Sequence, residues 1–491
     1  MGGMKLLGKW QPHLEYRQYI SRELSSRWPV YLQNIVQHKG GIKKLWLLDL
    51  DELRGELSQC YALTGRPAEN QPEILRSLVM MVLGHEDSVD SWVERLRNDD
   101  ILAIICGFLP GEIPGVGTYY DLLNRFWLAS RPGKVKKFRR KPKKKLKAGE
   151  KLPPKHPEIV KMIVKYLLRG RKFESKPEKI LHRILSTAVV IPSAQRGLLG
   201  DPEKLTISGD GSLYATGGRP YGKKLCPCEG TCNCKRRFSD PEANWGWDSY
   251  RERWVFGYTA YEITAADSFH DLPIYIGMGQ ASRHDSVLGL RALCELRDLY
   301  PDFVFQKFIG DSAHDAYPWY ELLHFWKIEA FIDLNTRRQD KLSLPGFTVD
   351  KNGTPVCAGG FPMVYWGYCE GRRRIKWRCP LVCGKVPECP QKCSPAKYGR
   401  VVYTKPEKDL RLFPKTPRNS KAWKKVYARR SASERTNKRQ KIDYRLEKTR
   451  ARSKRRIFWR LTLGAINQHL DAWVAQSQVT LAEIIGIEQA A

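Results

Sequence analysis

The first quarter of the chain has apolar residues three or four positions apart, the spacing that places side chains on one face of a helix. The pattern runs through residues 45–128 and is clearest in 72–83, 88–99 and 118–127, between Gly and Pro turn signals. It predicts an all-α N-terminal domain over residues 1–131. Short helices of this kind build DNA-binding modules and inert bundles alike, so the pattern alone leaves both roles open.

The hydrophobic period then changes, and strand-like stretches follow one another through residues 204–335. The predicted order is strand, strand, strand, helix, strand, helix, strand, which describes a mixed α/β sheet. Asp210 and Asp311 fall at the predicted ends of the first and fourth strands. The glycines on either side of Asp210 would allow a sharp turn that exposes its carboxylate, although an ordinary Asp-Gly turn is the plain alternative.

Composition divides the rest of the chain. Ten of the 14 residues from 134 to 147 are Lys or Arg, which predicts a disordered basic linker. Short alternating stretches rich in Gly and Pro after residue 335 predict a small β-rich insertion. The predicted segments are a basic linker at 132–157, a helical connector at 158–203, the first part of the core at 204–335, a cysteine-containing β-rich insertion at 336–420, and the C-terminal helices of the core at 421–491.

The segment Lys421–Lys441 contains no Gly or Pro and is rich in Lys, Arg, Ala and Glu, which favours a helix. Tyr427 begins a stripe on this helix. At about 100° per residue, Arg430, Glu434 and Lys441 follow it within a sector of about 60°. One carboxylate therefore stands among cations and a phenol, although a solvated basic face is the plain alternative.

The chain has 491 residues, and its 85 Lys and Arg against 52 Asp and Glu give a formal net charge of +33. So large an excess predicts a polyanionic partner. No apolar run approaches the 18 or so residues that span a bilayer, and the start of the chain lacks a signal-peptide pattern. We therefore expect no membrane association and a cytoplasmic, nucleoid-associated protein whose 13 cysteines stay reduced.

Eight of these cysteines form two groups, and clustered thiols in a reducing compartment point to metal before disulfide. Each group is a possible structural Zn²⁺ site, with reduced thiols as the alternative, because C-x-C and C-x3-C spacings depart from the C-x2-C of common zinc ribbons. The groups are Cys226, Cys228, Cys232 and Cys234 after the first strand, and Cys379, Cys383, Cys389 and Cys393 in the insertion.

Asp210, Asp311 and Glu434 together offer a chemistry that none has alone. Carboxylates converging from two strand ends and a helix can hold a pair of Mg²⁺ ions, or Mn²⁺, because hard cations prefer carboxylate oxygens. Such metals activate a water or a 3′-hydroxyl and stabilise the leaving oxygen of a phosphodiester. The cations of the helical stripe, Arg430 and Lys441, would hold the DNA backbone, and its tyrosine, residue 427, would stack on a base or donate to a phosphate.

The stripe resembles the Tyr-Arg-Glu-Lys signature of bacterial insertion-sequence transposases of the DDE class. Other motifs of that family are similar to SGDGS at 208–212, IGDSAHD at 309–315, FIDLNTRR at 331–338 and the helical segments TGRPAENQPEILRSLVMM and IPGVGTYYDLLNRFW. The resemblance covers residues from about 60 to 475. It implies an RNase H-like catalytic core, interrupted by the insertion and preceded by a DNA-binding helical domain, with Asp210, Asp311 and Glu434 as the triad.

The same resemblance implies an activity and partners. These enzymes cleave DNA at the transposon ends with a divalent metal and transfer the freed 3′-hydroxyl into target DNA. The expected partner is double-stranded DNA, as terminal inverted repeats and target, bound by a homodimer or higher assembly in a synaptic complex. Two other interpretations stay open: a transposase-derived regulator that binds DNA without catalysis, and an RNase H-like nuclease that cuts without joining.

Two choices of residue also stay open. Asp315 competes with Asp311 for the second position of the triad, and we prefer Asp311 because it follows the predicted strand directly. Members that pass through a DNA hairpin use an aromatic residue to hold a flipped base. The candidates for that role, none of which is assigned, are Trp245, Trp247, Trp254 and Trp319.

Overall fold

In the computed structural model the chain is described over residues 5–137, 158–335, 343–344, 347–391, 393–447 and 449–487. Most of the predicted basic linker and the start of the predicted insertion lie outside these ranges. None of the helices within them is long and apolar enough to cross a membrane.

The N-terminal region is helical, as the hydrophobic period predicts. Ser88 and Asp99 cap two of its helices by accepting hydrogen bonds from the Asp90 and Leu102 amides. The helices are α1 (His13–Gln37), α2 (Lys39–Leu47), α3 (Leu53–Ser58), α4 (Gln71–Leu83), α5 (Val89–Arg97), α6 (Asp100–Cys106) and α7 (Val116–Arg125), with a short parallel pair, β1 (Lys5–Leu7) and β2 (Arg66–Ala68).

The next elements build a connector, a small ribbon and the central sheet. A π-helical turn at 186–190 joins α9 to α10. The elements are β3 (Val135–Lys137), α8 (Ile159–Leu168), α9 (Lys179–Leu185), α10 (Ile191–Gln195), β4 (Leu205–Ala215), β5 (Lys223–Lys224), β6 (Lys235–Arg237), β7 (Asn244–Asp248), β8 (Arg253–Ala265), β9 (Pro273–Gln280), α11 (Asp285–Leu299), β10 (Phe305–Gly310), α12 (Tyr317–Phe325) and β11 (Glu329–Ile332).

The central sheet has the strand order β9-β8-β4-β10-β11, and β7 pairs with the first residues of β8, 253–257. β9, β8 and β4 are antiparallel, whereas β4, β10 and β11 are parallel. Three antiparallel strands followed by two parallel strands, with helices between the later ones, is the RNase H-like arrangement. The predicted fold class is confirmed.

Two three-stranded antiparallel sheets form the insertion, with a small core of their own around Ile375 and Trp377. Arg411 ties it to the central sheet through a bidentate ion pair with Asp315. The strands are β12 (Ser343–Leu344), β13 (Phe347–Val349), β14 (Pro355–Val356), β15 (Val364–Cys369), β16 (Arg374–Arg378) and β17 (Val401–Thr404).

The chain then returns to the central sheet as helices. Residues 421–443 are helical throughout, with a 3-10 turn at 428–430 and a π turn at 439–443. α15 is buried along most of its length and packs against α2, α4, α9 and β9, so one core is continuous from the N-terminal helices to the sheet. The helices are α13 (Lys421–Tyr427), α14 (Ser431–Lys438), α15 (Lys454–Ser477) and α16 (Leu481–Ile485).

Candidate active site

The pairing of two parallel strands sets Asp210 and Asp311 side by side. The last residue pair between β4 and β10 is Ser208 with Ile309. Each aspartate comes two residues after its member of that pair. Both therefore lie where β10 ends, and the charge of Asp311 contributes to a raised pKa of Asp210.

The prediction that the first strand ends at Asp210 is wrong. β4 continues to Ala215 because its other edge stays paired with β8, where Asp210 faces Glu262. The glycines flanking Asp210 therefore do not form a turn. They leave space for neighbouring side chains that pack against the strand. A Cβ on Gly211 would overlap the Asp285 carboxylate, and a Cβ on Gly209 would overlap the Tyr261 hydroxyl.

Asp285, the first residue of α11, is a site residue that the sequence reasoning missed. Burial and the neighbouring Asp285 and Asp311 raise the pKa of Asp210 to about 6. Burial, with Asp311, likewise raises the pKa of Asp285 to about 6, although His314 acts in the opposite direction. The sequence does contain a signal for Asp285: it is an acidic residue at the first position of the helix that follows the predicted third strand.

His314 orients Asp311. Its Nδ1 lies 2.7 Å from Asp311 Oδ1, and its Nε2 lies 2.7 Å from the hydroxyl of buried Tyr261. Nδ1–H donates to the carboxylate, and Nε2 forms a second hydrogen bond with the tyrosine hydroxyl. Burial works against ionisation of Asp311, but the His314 hydrogen bond and charge, the Ala313 amide and Arg430 together lower its pKa.

α14 is fixed on the sheet by a line of polar contacts. Asn437 Nδ2 donates to Asp210 Oδ2 at 2.9 Å. Behind it, the hydroxyls of Ser433 and Ser208 lie 3.1 Å apart, and Thr436 accepts from Thr264 at 3.2 Å. Glu434 precedes Asn437 by one helical turn on the same helix, so these contacts bring Glu434 to the groove that Asp210 lines.

Within that groove Glu434 is ion-paired. Its Oε1 lies 2.6 Å from Nη2 of Arg430, and 51% of its side chain is exposed. Two residues of the predicted stripe, Arg430 and Glu434, are therefore bound to each other. The Glu434 carboxylate is held by Arg430, four residues earlier on the same helical segment.

The other two residues of the stripe have aromatic neighbours. The Tyr427 ring stacks on Trp423, with centroids 4.3 Å apart, and burial followed by Asp333 raises the pKa of Tyr427 to about 12. The Lys441 ammonium lies 5.3 Å from the centre of the Tyr214 ring and lines the groove. Burial lowers the pKa of Lys441, while Glu447 opposes that shift.

Asp315, the competitor of Asp311, is bound elsewhere. Its side chain is fully buried, pairs with Arg411 at 2.7 Å, and accepts hydrogen bonds from the Tyr320 hydroxyl and the Asn335 amide. Its oxygens are thus occupied by protein groups. This geometry favours Asp311 as the second carboxylate.

The groove beside Asp210 has a volume of about 890 Å³. Trp247 and Trp254 are 50% and 63% exposed at its rim, with their rings 5.4 Å apart, whereas Trp319 is fully buried. Trp245 also lines the groove and is partly exposed. The cations of the groove wall are Arg251, Arg283, Lys438 and Lys441.

A buried acid lies behind the site. Glu262 is fully buried, and neither of its carboxyl oxygens has a hydrogen-bond partner. Burial raises its pKa to about 8; Asp210 adds to this shift, and Lys441 opposes it. Glu262 is thus a neutral acid at pH 7, next to Asp210 in the sheet.

The two cysteine groups differ. The sulfurs of Cys226, Cys228, Cys232 and Cys234 all lie within 4.8 Å of one another, and among the described residues this is the single group of potential ligands gathered so closely. In the same search of the described residues, Cys379, Cys383, Cys389 and Cys393 do not form a group with sulfurs within 4.8 Å of one another. Cys379 is buried against Gly399, whereas the Cys389 thiol donates to the Gln391 carbonyl at 3.2 Å.

The acidic side chains of the groove fit hard divalent cations. Asp210, Asp285 and Asp311 provide oxygens only, and burial together with neighbouring carboxylates raises the pKa values of the first two. Their oxygens are more widely spaced than the cysteine sulfurs. Binding a metal would relieve their mutual repulsion.

Residues 227–467 match the family model described as the transposase DDE domain. The match covers Asp311 and Glu434, 241 of the 491 residues in all, and begins after Asp210. No curated protein matches the sequence.

Among solved structures, a piggyBac transposase synaptic complex with hairpin DNA, determined by cryo-EM, is similar to this chain over 98% of this chain and 78% of that one. The identity is 10% and the TM-score is 0.35. The fold assignment rests on the strand order given above.

Proposed function

We propose that this protein is a DNA transposase of an insertion sequence, which binds transposon ends, cleaves them and joins the freed 3′-hydroxyl to target DNA. The observation that carries the proposal is that Asp210 and Glu434 line one groove with cationic side chains, while Asp311 lies beside Asp210 where β10 ends. The transposase DDE domain supports it over the second half of the chain.

In this proposal Asp210, Asp311 and Glu434 hold a pair of divalent ions, Mg²⁺ or Mn²⁺, with Asp285 as a further carboxylate beside them. The chemistry supplied with these ions bound is activation of the attacking oxygen and stabilisation of the leaving oxygen of a phosphodiester. His314 and Asn437 keep two of the carboxylates in place through their hydrogen bonds.

The DNA would lie along the groove. Arg430, Lys438 and Lys441 bind phosphates, which fix the register of the strand without reading its sequence. Trp247 and Trp254 offer exposed rings on which an unpaired base stacks at the edge of the groove. The +33 charge supplies further salt-sensitive affinity for DNA.

The partners follow from this function. We propose double-stranded DNA, as terminal inverted repeats and as target, and a homodimer or larger assembly that holds two ends in a synaptic complex. The place of action is the cytoplasm, on the nucleoid.

A strand-transfer assay tests the proposal. The full chain is incubated with Mg²⁺ and labelled DNA taken from the flanks of its own gene, together with a plasmid target. Joined products support a transposase, cleavage without joining supports a nuclease, and binding without cleavage supports a regulator. Either of the last two results would overturn the proposal.

A further inference from the structure

The gathered cysteines lie in the loop between two very short strands. This loop joins β5 to β6, and Cys226 and Cys232 face each other across it with sulfurs 3.5 Å apart. Cys228 and Cys234 repeat the arrangement at 3.7 Å. Sulfurs of a tetrahedral site with Zn–S bonds of about 2.3 Å are about 3.8 Å apart, so the loop has the shape of a four-thiolate zinc site.

The strands beside this loop are too short to be stable on their own, and a bound metal ion would stabilise them. β5, β6 and β3 form a sheet of two- and three-residue strands, which we call the basic ribbon. Lys137 is paired with Lys235, and Lys223 with Arg237. Like charges directly opposite each other destabilise a sheet, and strands this short are marginal in water. A bound zinc ion would hold them together.

Both faces of the ribbon carry cations. Lys136, Lys224 and Arg236 lie on one face, where Lys136 and Arg236 donate to backbone carbonyls, and the other face carries four cations. Residues paired directly across an antiparallel sheet point to the same side, so Lys137, Lys223, Lys235 and Arg237 share a face with Val135. All five are exposed. Within the described part of the chain, none of the four cations pairs with a carboxylate. Such a face fits the phosphates of a nucleic acid backbone.

Two of the ribbon's strands, β5 and β6, lie in sequence between β4 and β7, which both line the groove. The chain leaves β4 five residues after Asp210 and returns as β7, which carries Trp245 and Trp247 into the groove wall. Thr216 and Tyr258 both donate to Asp240, at 2.7 and 2.6 Å, and fix the ribbon's base. Short chain segments therefore connect the ribbon to two strands that line the groove.

We infer that Cys226, Cys228, Cys232 and Cys234 bind one structural Zn²⁺ ion and that the basic ribbon it holds is a binding surface for the DNA backbone. The zinc site stands on its own geometry. The choice of DNA as the polyanion rests on the proposed function.

Zinc content tests the first half. The full chain, purified without chelator, is expected to contain zinc that the double variant Cys226→Ser/Cys232→Ser loses. The control is Cys60→Ser/Cys294→Ser, which changes two free cysteines outside the ribbon and keeps the metal. A folded wild-type chain without zinc, or with disulfides in this loop, would overturn the site, and so would equal zinc in both variants.

Salt-dependent DNA binding tests the second half. Lys137→Ala/Lys235→Ala is compared with Lys172→Ala/Lys204→Ala, which removes the same charge from exposed lysines paired with Asp298 and Asp201. A fluorescent duplex is titrated without Mg²⁺ at several salt concentrations. The plot of log K against log salt has a negative slope, and its magnitude decreases by about 0.9 for each phosphate that a cation no longer neutralises. The magnitude of the slope should therefore be smaller by between about 1 and 2 in the ribbon variant than in its control.

A ribbon variant with the slope of its control would overturn the DNA-binding surface. Because binding is read without Mg²⁺, the outcome does not depend on cleavage. A chain that binds through the ribbon and never joins DNA would contradict the proposed function and leave the ribbon in place.

Discussion

Asn437 donates a hydrogen bond from Nδ2 to Oδ2 of Asp210 at 2.9 Å, across 227 positions of sequence. The bond joins the helix that carries Glu434 to the strand that carries the first aspartate. Asn437 is buried, so water cannot readily replace the amide if it is removed. This contact explains how two distant motifs of the sequence become one site.

Replacing Asn437 by Ala should lower Mg²⁺-dependent cleavage by about 10- to 100-fold, the range for groups that position metal ligands. The Mg²⁺ concentration that gives half the maximal rate should rise, because Asp210 loses its orientation. Asn34→Ala, at an exposed position on α1, is the control. An unchanged Mg²⁺ dependence in the Asn437 variant would show that the amide is structural only.

His314→Ala should move the acid limb of the cleavage pH profile to higher pH. The hydrogen bond and charge of His314 lower the pKa of Asp311, so their loss raises that pKa and protonates the carboxylate at higher pH. The measurement is cleavage rate between pH 5 and 8 at limiting Mg²⁺. The exposed His324, changed to Ala, is the control, and an acid limb that stays in place contradicts the positioning role.

Glu262→Gln should stabilise the protein more strongly as pH rises. The pKa of Glu262 is raised from 4.5 to about 8 in the folded chain, so its contribution to stability is full below about pH 4.5 and is lost as pH rises toward 8. Glutamine does not titrate. At about 1.4 kcal/mol per pKa unit, the free energy of unfolding of the variant relative to wild type should increase by roughly 3 kcal/mol between about pH 4.5 and pH 7.

Denaturant unfolding at pH 5, 6, 7 and 8 in EDTA measures this gain. The exposed Glu229, changed to Gln, is the control and should show no such trend. A difference between Glu262→Gln and wild type that does not change with pH would mean that Glu262 is ionised in the folded chain.

Trp247→Ala should weaken binding to DNA with unpaired bases at the cleavage position more than binding to a full duplex. Stacking of one base on an aromatic ring contributes about 1–3 kcal/mol, so the affinity should fall by roughly 5- to 150-fold. Trp366→Ala, at an exposed position in the insertion, is the matched control. Equal losses for both DNA forms would exclude base stacking by Trp247.

The order of strands and helices in the core is predictable from the sequence because each element carries its own hydrophobic period. The length of β4 is not, since residues after Asp210 are held as a strand only by pairing with β8. Asp285 and His314 could not be recognised either, because their roles depend on contacts between separate elements. Each cysteine group offers four thiols within a short stretch of sequence, yet only the first is gathered among the described residues.

The most direct test of the account is single-turnover cleavage of the transposon-end DNA with Mg²⁺ by the wild type and by Asp210→Ala, Asp311→Ala and Glu434→Ala. Asp443→Ala, an exposed acid on the same helical segment as Glu434, is the control. The cleavage rate of each triad variant should fall by more than about 100-fold, the upper range for a residue that only positions a metal ligand. Each variant should still bind DNA, and the control should cleave at the wild-type rate. Cleavage at a near wild-type rate in any of the three would contradict the assignment of the triad.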